Sequence, residues 1–194
     1  MKVVSYYSPE YLPYSYQLRE SCHQFQVEWD VEAVPSFANW QDGVAYKPQF
    51  ILEKLQSIPD GSGLLWVDAD AKFVREPDFS IFNAVDLAVC QFQWSKNHPI
   101  EFLTGTLMLR STPRVKDFVK RWMLATPTWR KANLDTPEQL SLKETYELQK
   151  DHPNALRYLN LPVEWVWIEP EFNELYKGKC KIISHYQASR RVRK

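Results

Sequence analysis

The sequence predicts an α/β fold in which a central, mostly parallel sheet is flanked by helices, and three observations carry that expectation. The chain opens with a strand, a helix and a second strand over residues 2–7, 13–25 and 27–34, and a β-α-β opening implies parallel pairing. Four apolar residues in a row, Leu64-Leu65-Trp66-Val67, follow the breakers Pro59-Asp60-Gly61-Ser62-Gly63. A half-exposed strand would alternate apolar with polar, so this one is buried on both faces. Apolar stripes at helical spacing, Ile51-Leu55-Ile58 and Val115-Phe118-Val119-Trp122, supply helices to cover those faces.

Taken in order, the first strand stops at Ser8-Pro9, and Pro13 opens a helix whose Tyr14, Leu18, Cys22 and Phe25 share a face. Trp40, in a loop over residues 36–43, is read as a lid over the core before a stacking surface. Lys47-Pro48 begins the next helix, because proline suits a first turn. A connector over 77–82 leads to a strand over 86–92. Gly105, between two threonines of the strand-like run Phe102 to Leu109, marks a bulge or a close approach to a ligand or another backbone. Thr112 caps the helix that follows. Asp135-Thr136-Pro137-Glu138 has the spacing of a capping box, so capping is the first role expected of Asp135 and Glu138, with a polar helix after them. Short strands are expected over 156–161, 163–168 and 181–185.

Composition bounds the function. The 194 residues suit one domain with a sizeable core, and aromatic residues, at 14%, suit a pocket that stacks on flat or ring-shaped ligands. Twenty-four basic residues balance twenty-four acidic ones, so no global field draws in nucleic acid or membrane. Cys22, Cys90 and Cys180 are odd in number and far apart, and read as buried thiols of a reducing compartment. The N-terminus lacks the apolar core of a signal peptide and no run reaches membrane-spanning length, so a soluble cytoplasmic protein is expected.

The chemistry-bearing stretch is Asp68-Ala69-Asp70 at the end of the central strand. Ligands of open α/β sheets bind beyond the carboxyl ends of the strands, and two carboxylates two residues apart in extended backbone can share one hard cation. At a helix start, Lys47 would join amide donors and the helix dipole in favouring phosphate.

Together these residues resemble the nucleotide-diphospho-sugar transferases, the glycosyltransferases of the GT-A fold. The likeness rests on Lys47-Pro48-Gln49-Phe50-Ile51, Leu65 to Asp70 with its Asp-x-Asp motif, Phe102 to Leu109 around Gly105, Glu138-Gln139, and Ser184-His185-Tyr186, in the family's order. The resemblance implies a metal-dependent transferase moving a sugar from a nucleoside-diphosphate sugar to an acceptor, which could be a glycan, a protein or a small molecule. It assigns Mn²⁺ or Mg²⁺ to Asp68 and Asp70, with His185 completing the shell. It assigns the donor to Ser5, Tyr6, Tyr7, Lys47, Asp68 and Gly105, with Arg190 and Arg191 of the basic C-terminal tail adding charge at the diphosphate. A nucleotide-sugar-binding half over about 1–100 and an acceptor half with the metal and tail segment over about 101–194 follow from it.

His185 stands at the end of its strand as the carboxylates stand at theirs, and a neutral imidazole favours Mn²⁺ over Mg²⁺. Because a protonated ring cannot coordinate, metal affinity is expected to fall as pH drops through about 6.5. Asp135, Glu138 and Glu101 are the candidates for the base of an inverting reaction or the nucleophile of a retaining one. The chain is small for this fold, so acceptor-binding parts could be reduced or come from another subunit, which leaves an oligomer open. Two other readings use the same motif: a haloacid dehalogenase-type phosphatase, which wants Thr or Val where Lys72 stands, and a non-catalytic sugar- or nucleotide-binding module.

Overall fold

A computed structural model describes residues 1–132 and 136–188. Its strands are β1 (Lys2–Tyr7), β2 (Glu28–Ala33), β3 (Gly63–Val67), β4 (Ala71–Phe73), β5 (Leu87–Phe92), β6 (Glu101–Arg110), β7 (Tyr158–Asn160), β8 (Trp167–Ile168) and β9 (Ile183–His185). Its helices are α1 (Leu12–Gln24), α2 (Trp40–Ser57), α3 (Pro113–Lys131), α4 (Pro137–Glu147) and α5 (Glu171–Leu175). The main sheet runs β2-β1-β3-β6-β5-β7, and a second sheet runs β4-β9-β8. Pairings β1 with β2, β1 with β3 and β5 with β7 are parallel, whereas β6 is antiparallel to both of its neighbours.

The central run behaves as its composition demands. Leu64 and Trp66 enter one core with Val4, Leu107 and Leu109, beneath Phe50 and Ile51 of α2 and Phe118 and Trp122 of α3. Leu65 and Val67 enter the opposite core with Val3 and Met108, against Leu18 and Cys22 of α1 and Phe73 of β4. Each such side chain contributes roughly 1.5–3 kcal/mol by leaving water, so a strand buried on both faces is fixed in register.

Several expected boundaries move. Helix α2 begins at Trp40 because the Asn39 side chain accepts the Asp42 amide at 3.0 Å, a cap inside the segment expected to be a loop. Pro48 therefore lies inside the helix and Lys47 in its middle, which removes the helix-start argument for Lys47. The Thr112 cap is present, accepting the Val115 amide at 3.2 Å. Helix α4 is capped by Thr136 backbone with no side-chain bond, and it buries Glu138, Ser141, Leu142 and Thr145. Glu138 is thus not a capping residue, and the helix is not polar throughout. Residues 163–165 form a 3-10 turn in place of the start of a strand. Cys22 and Cys90 are buried free thiols, but Cys180 is exposed. Among the described residues no helix is long and apolar enough to cross a membrane.

Candidate active site

A cavity of about 380 Å³ opens at the carboxyl ends of β1 and β3, within the size range of small-ligand sites. Its lining includes Tyr6, Tyr7, Lys47, Asp68, Asp70, Gly105, Glu138 and His185, so residues expected to act together from the sequence do meet. Trp40 also faces this cavity and is not a lid over the core. Ser5 is fully buried and does not line it. Glu101 is away from the lining and accepts the Trp94 indole N–H at 2.9 Å. Asp135, Arg190 and Arg191 lie outside the described residues.

The two aspartates converge through a turn. Strand β3 ends at Val67, and the Ala71 amide donates to the Asp68 carbonyl at 3.0 Å, closing a tight reversal into β4. Extended backbone, expected between Asp68 and Asp70, is replaced by this turn. Strand β4 then pairs Ala71 with His185 of β9, and the Tyr186 amide donates to the Asp70 carbonyl at 3.2 Å. Ligand atoms of Asp68, Asp70 and His185 consequently lie within 4.8 Å of one another.

One oxygen of each carboxylate is tied down by the protein. Asp68 Oδ1 accepts the Trp66 indole N–H at 2.9 Å and sits 3.0 Å from Lys47 Nζ. Asp70 Oδ2 accepts the Ala188 amide at 2.7 Å. His185 Nε2 lies 3.0 Å from Thr106 Oγ1. Such partners fix the orientation of side chains that could hold a metal. Trp66 and Thr106 escaped the sequence reading; the Trp-x-Asp spacing, which can put an indole N–H beside a carboxylate, was the available signal for the first.

Charge is unevenly compensated. Lys47 is 3% exposed, and its ammonium also donates to the Thr104 carbonyl at 3.2 Å and hydroxyl at 3.3 Å, with Glu138 Oε1 at 3.7 Å. Burial opposes its charge, but Asp68 and Glu138 outweigh burial and hold its pKa above the ordinary value. Glu138 is 2% exposed; its Oε1 accepts the Thr104 hydroxyl at 3.1 Å and its Oε2 is buried without a partner. Burial raises its pKa against the pull of Lys47. Burial, then the Asp68 charge, push the Asp70 carboxyl up to about 6. Burial lowers His185 to about 4, so its ring stays neutral well below the ordinary imidazole range.

Two carboxylates and a neutral imidazole, drawn together at the end of a buried strand, are a donor set suited to Mn²⁺ or another borderline divalent cation. Aromatic rings continue the site inward: the Tyr6 ring is 5.3 Å from that of Tyr46 and 5.1 Å from those of Phe50 and Trp66, and its hydroxyl donates to the Gly43 carbonyl at 2.6 Å.

No family model and no curated protein matches the sequence. Solved structures do. A glycosyltransferase involved in glycosylating the major capsid of PBCV-1 is similar over 96% of this chain and 92% of its own, with a TM-score of 0.70 at 16% identity. This chain has a glycosyltransferase fold. The glycosyltransferase GlyE of Streptococcus pneumoniae is similar over 95% of this chain at a TM-score of 0.59 and 12% identity, and its apo form at 0.61 and 11%. This chain spans 54% of the length of GlyE.

Proposed function

We propose that the protein is a metal-dependent glycosyltransferase that moves a sugar from a nucleoside-diphosphate sugar to an acceptor. The observation that carries this reading is the convergence of Asp68, Asp70 and His185 within 4.8 Å at the edge of an aromatic-lined cavity, on a glycosyltransferase fold. In the transfer, the bond between the sugar's anomeric carbon and the diphosphate oxygen breaks with its electron pair leaving on phosphate. The acceptor oxygen forms the new bond to that carbon and gives up its proton.

Asp68, Asp70 and His185 would hold Mn²⁺ or Mg²⁺. Such a cation, when bound, neutralises the charge that gathers on the departing diphosphate. Tyr6 and Tyr7 flank the base of the donor, and the missing side chain at Gly105 leaves room for the His185 ring beside Asp68 at the diphosphate end of the donor site. Lys47 supplies a fixed positive charge beside Asp68; all its hydrogen bonds are to protein, so contact with a phosphate requires it to release one. Glu138, which lines the cavity and has one buried, unpartnered oxygen, takes the acceptor proton, and its raised pKa suits that task. Asp135, Arg190 and Arg191 keep their assignments as a second base candidate and as tail charges near the diphosphate. The whole chain is taken as one domain acting in a soluble, cytoplasmic setting.

The test is nucleoside diphosphate release from a panel of sugar nucleotides, with Mn²⁺, with Mg²⁺ and with chelator. Release that needs metal and collapses in Asp70→Asn supports the proposal. Binding of a sugar nucleotide without release at any metal concentration would make the protein a binding module instead, and inorganic phosphate as the sole product would make it a phosphatase.

A further inference from the structure

The main sheet and the small sheet meet at one polar contact that the metal reading does not itself require. Strand β6 carries Thr104, Gly105 and Thr106 past the end of β3, with Thr106 paired in register to Val67 and the Gly105 carbonyl accepting the Asp68 amide at 2.8 Å. Strand β9 delivers His185 to the same place. Thr106 is fully buried and His185 is 3% exposed, and the Thr106 hydroxyl lies 3.0 Å from Nε2 of the ring. The ring also packs against Gly105: a Cβ placed there would stand 2.9 Å from His185 Cε1, 3.0 Å from Nδ1 and 3.5 Å from Asp68 Oδ2. With Nε2 engaged at Thr106, the nitrogen left free is Nδ1.

We infer that Thr106 is a positioning residue that holds His185 in the tautomer with its proton on Nε2, so that the lone pair of Nδ1 is left free and Nδ1 is the nitrogen that ligates the metal. This rests on the metal-site reading above. A neutral imidazole has one N–H and one lone pair, and which nitrogen carries which is decided by the partner of the other. A metal on Nδ1 requires the proton on Nε2, and there the Thr106 hydroxyl oxygen can accept it; a buried ring with no such acceptor loses that preference. The ring's proton count does not change, since a proton leaves neither the imidazole nor the hydroxyl for good. An orienting partner of this kind is worth about 10–100-fold in metal affinity.

Thr106→Val keeps the shape of the side chain and removes the hydroxyl, while Thr106→Ser keeps the hydroxyl and removes a methyl. Titration with Mn²⁺ alone, followed by electron paramagnetic resonance, should show the dissociation constant rising about 10–100-fold in Thr106→Val and returning to within a few-fold of wild type in Thr106→Ser. A ¹⁵N spectrum of the wild type loaded with Zn²⁺, a diamagnetic probe, should show the proton on Nε2 of His185 and the metal on Nδ1. A pure packing role would reverse the order of the two variants. If Thr106→Val binds Mn²⁺ as wild type does, or if Zn²⁺ sits on Nε2, the Thr106 assignment is wrong while the metal site stands. If the wild type binds no Mn²⁺, the metal site itself goes, and this assignment with it.

Discussion

Gly105 and His185 touch where a side chain would not fit: a Cβ on Gly105 would lie 2.9 Å from His185 Cε1, closer than carbon atoms pack, with Nδ1 at 3.0 Å. The ring has little freedom to retreat, because it is buried and its Nε2 is held against Thr106. Gly105→Ala should therefore fold, since its strand neighbours are unchanged, but bind Mn²⁺ at least roughly tenfold more weakly, the scale seen when a ligand loses its support. Circular dichroism with a Mn²⁺ titration checks both halves. Undiminished affinity would show that the ring can shift at no cost.

How much of this was legible in the sequence depends on the range of the interaction. The buried strand at Leu64–Val67, the Thr112 cap and the meaning of Gly105 between two threonines are local or periodic signals, and they read correctly. Asp68 and Asp70 were found, but their convergence was attributed to strand alternation when a turn closed by Ala71 brings it about. Lys-Pro looks like a helix start, which puts Lys47 there in the sequence reading; the Asn39 cap, a stronger start signal eight residues earlier, decides the matter. Its burial, and that of Glu138, depend on β6 and α4 arriving from residues far along the chain, which no local pattern reports. The same holds for Thr106, seventy-nine residues from its histidine.

The burial of Lys47 reverses the expectation for its removal. An exposed lysine could be replaced at little cost, but this one neutralises Asp68 at 3.0 Å and stands 3.7 Å from Glu138. Lys47→Met leaves those carboxylates uncompensated, a loss on the order of 3–5 kcal/mol for a buried pair. At about 2–4 °C per kcal/mol for a chain of this size, the metal-free melting temperature should fall by roughly 6–20 °C. Adding Glu138→Gln to Lys47→Met should recover part of the loss, because the two sites are coupled. Thermal melts of both variants in chelator decide it, and an unchanged melting temperature would return Lys47 to a dispensable role.

Asp70 and His185 set opposite pH trends. The Asp70 carboxyl is raised from 3.8 to about 6, so the metal-free fold prefers its protonated form; the stability this contributes is complete below about 3.8 and lost as pH rises through about 6. His185, lowered to about 4, contributes stability that is present above its ordinary 6.5 and lost as pH falls through about 4. In chelator at pH 7–8, Asp70→Asn should thus melt higher than wild type, by about 2–4 °C for each kcal/mol relieved. Mn²⁺ at about a hundred times its dissociation constant should add roughly 2.7 kcal/mol to wild type and nothing comparable to the variant. Wild-type Mn²⁺ affinity should decline as pH drops through about 6, with Asp70 taking the proton, because burial keeps the imidazole neutral there. A decline centred near 4 would mean that the histidine, and not Asp70, competes with the metal.

Glu138 gives the sharpest separation between holding the fold and doing chemistry. Its Oε1 has the Thr104 hydroxyl at 3.1 Å, but its Oε2 is buried without a partner, a cost that a purely structural glutamate would be expected to avoid. Glu138→Gln keeps an oxygen for Thr104 and the volume of the side chain, and it removes a negative charge that repels Asp68. The metal ligands are untouched, so Mn²⁺ affinity should stay within a few-fold of wild type. If Glu138 takes the acceptor proton, sugar transfer should drop by about 10²–10⁴-fold, the usual contribution of a general base. In wild type, transfer should also rise with pH through a value above the ordinary glutamate range, because only the deprotonated carboxylate can accept a proton, and that rise should disappear in the variant. Transfer rates against pH for both proteins, with Mn²⁺ binding measured alongside, test each step. Full transfer activity in Glu138→Gln would remove Glu138 from the chemistry and leave it as the buried counter-charge of Lys47.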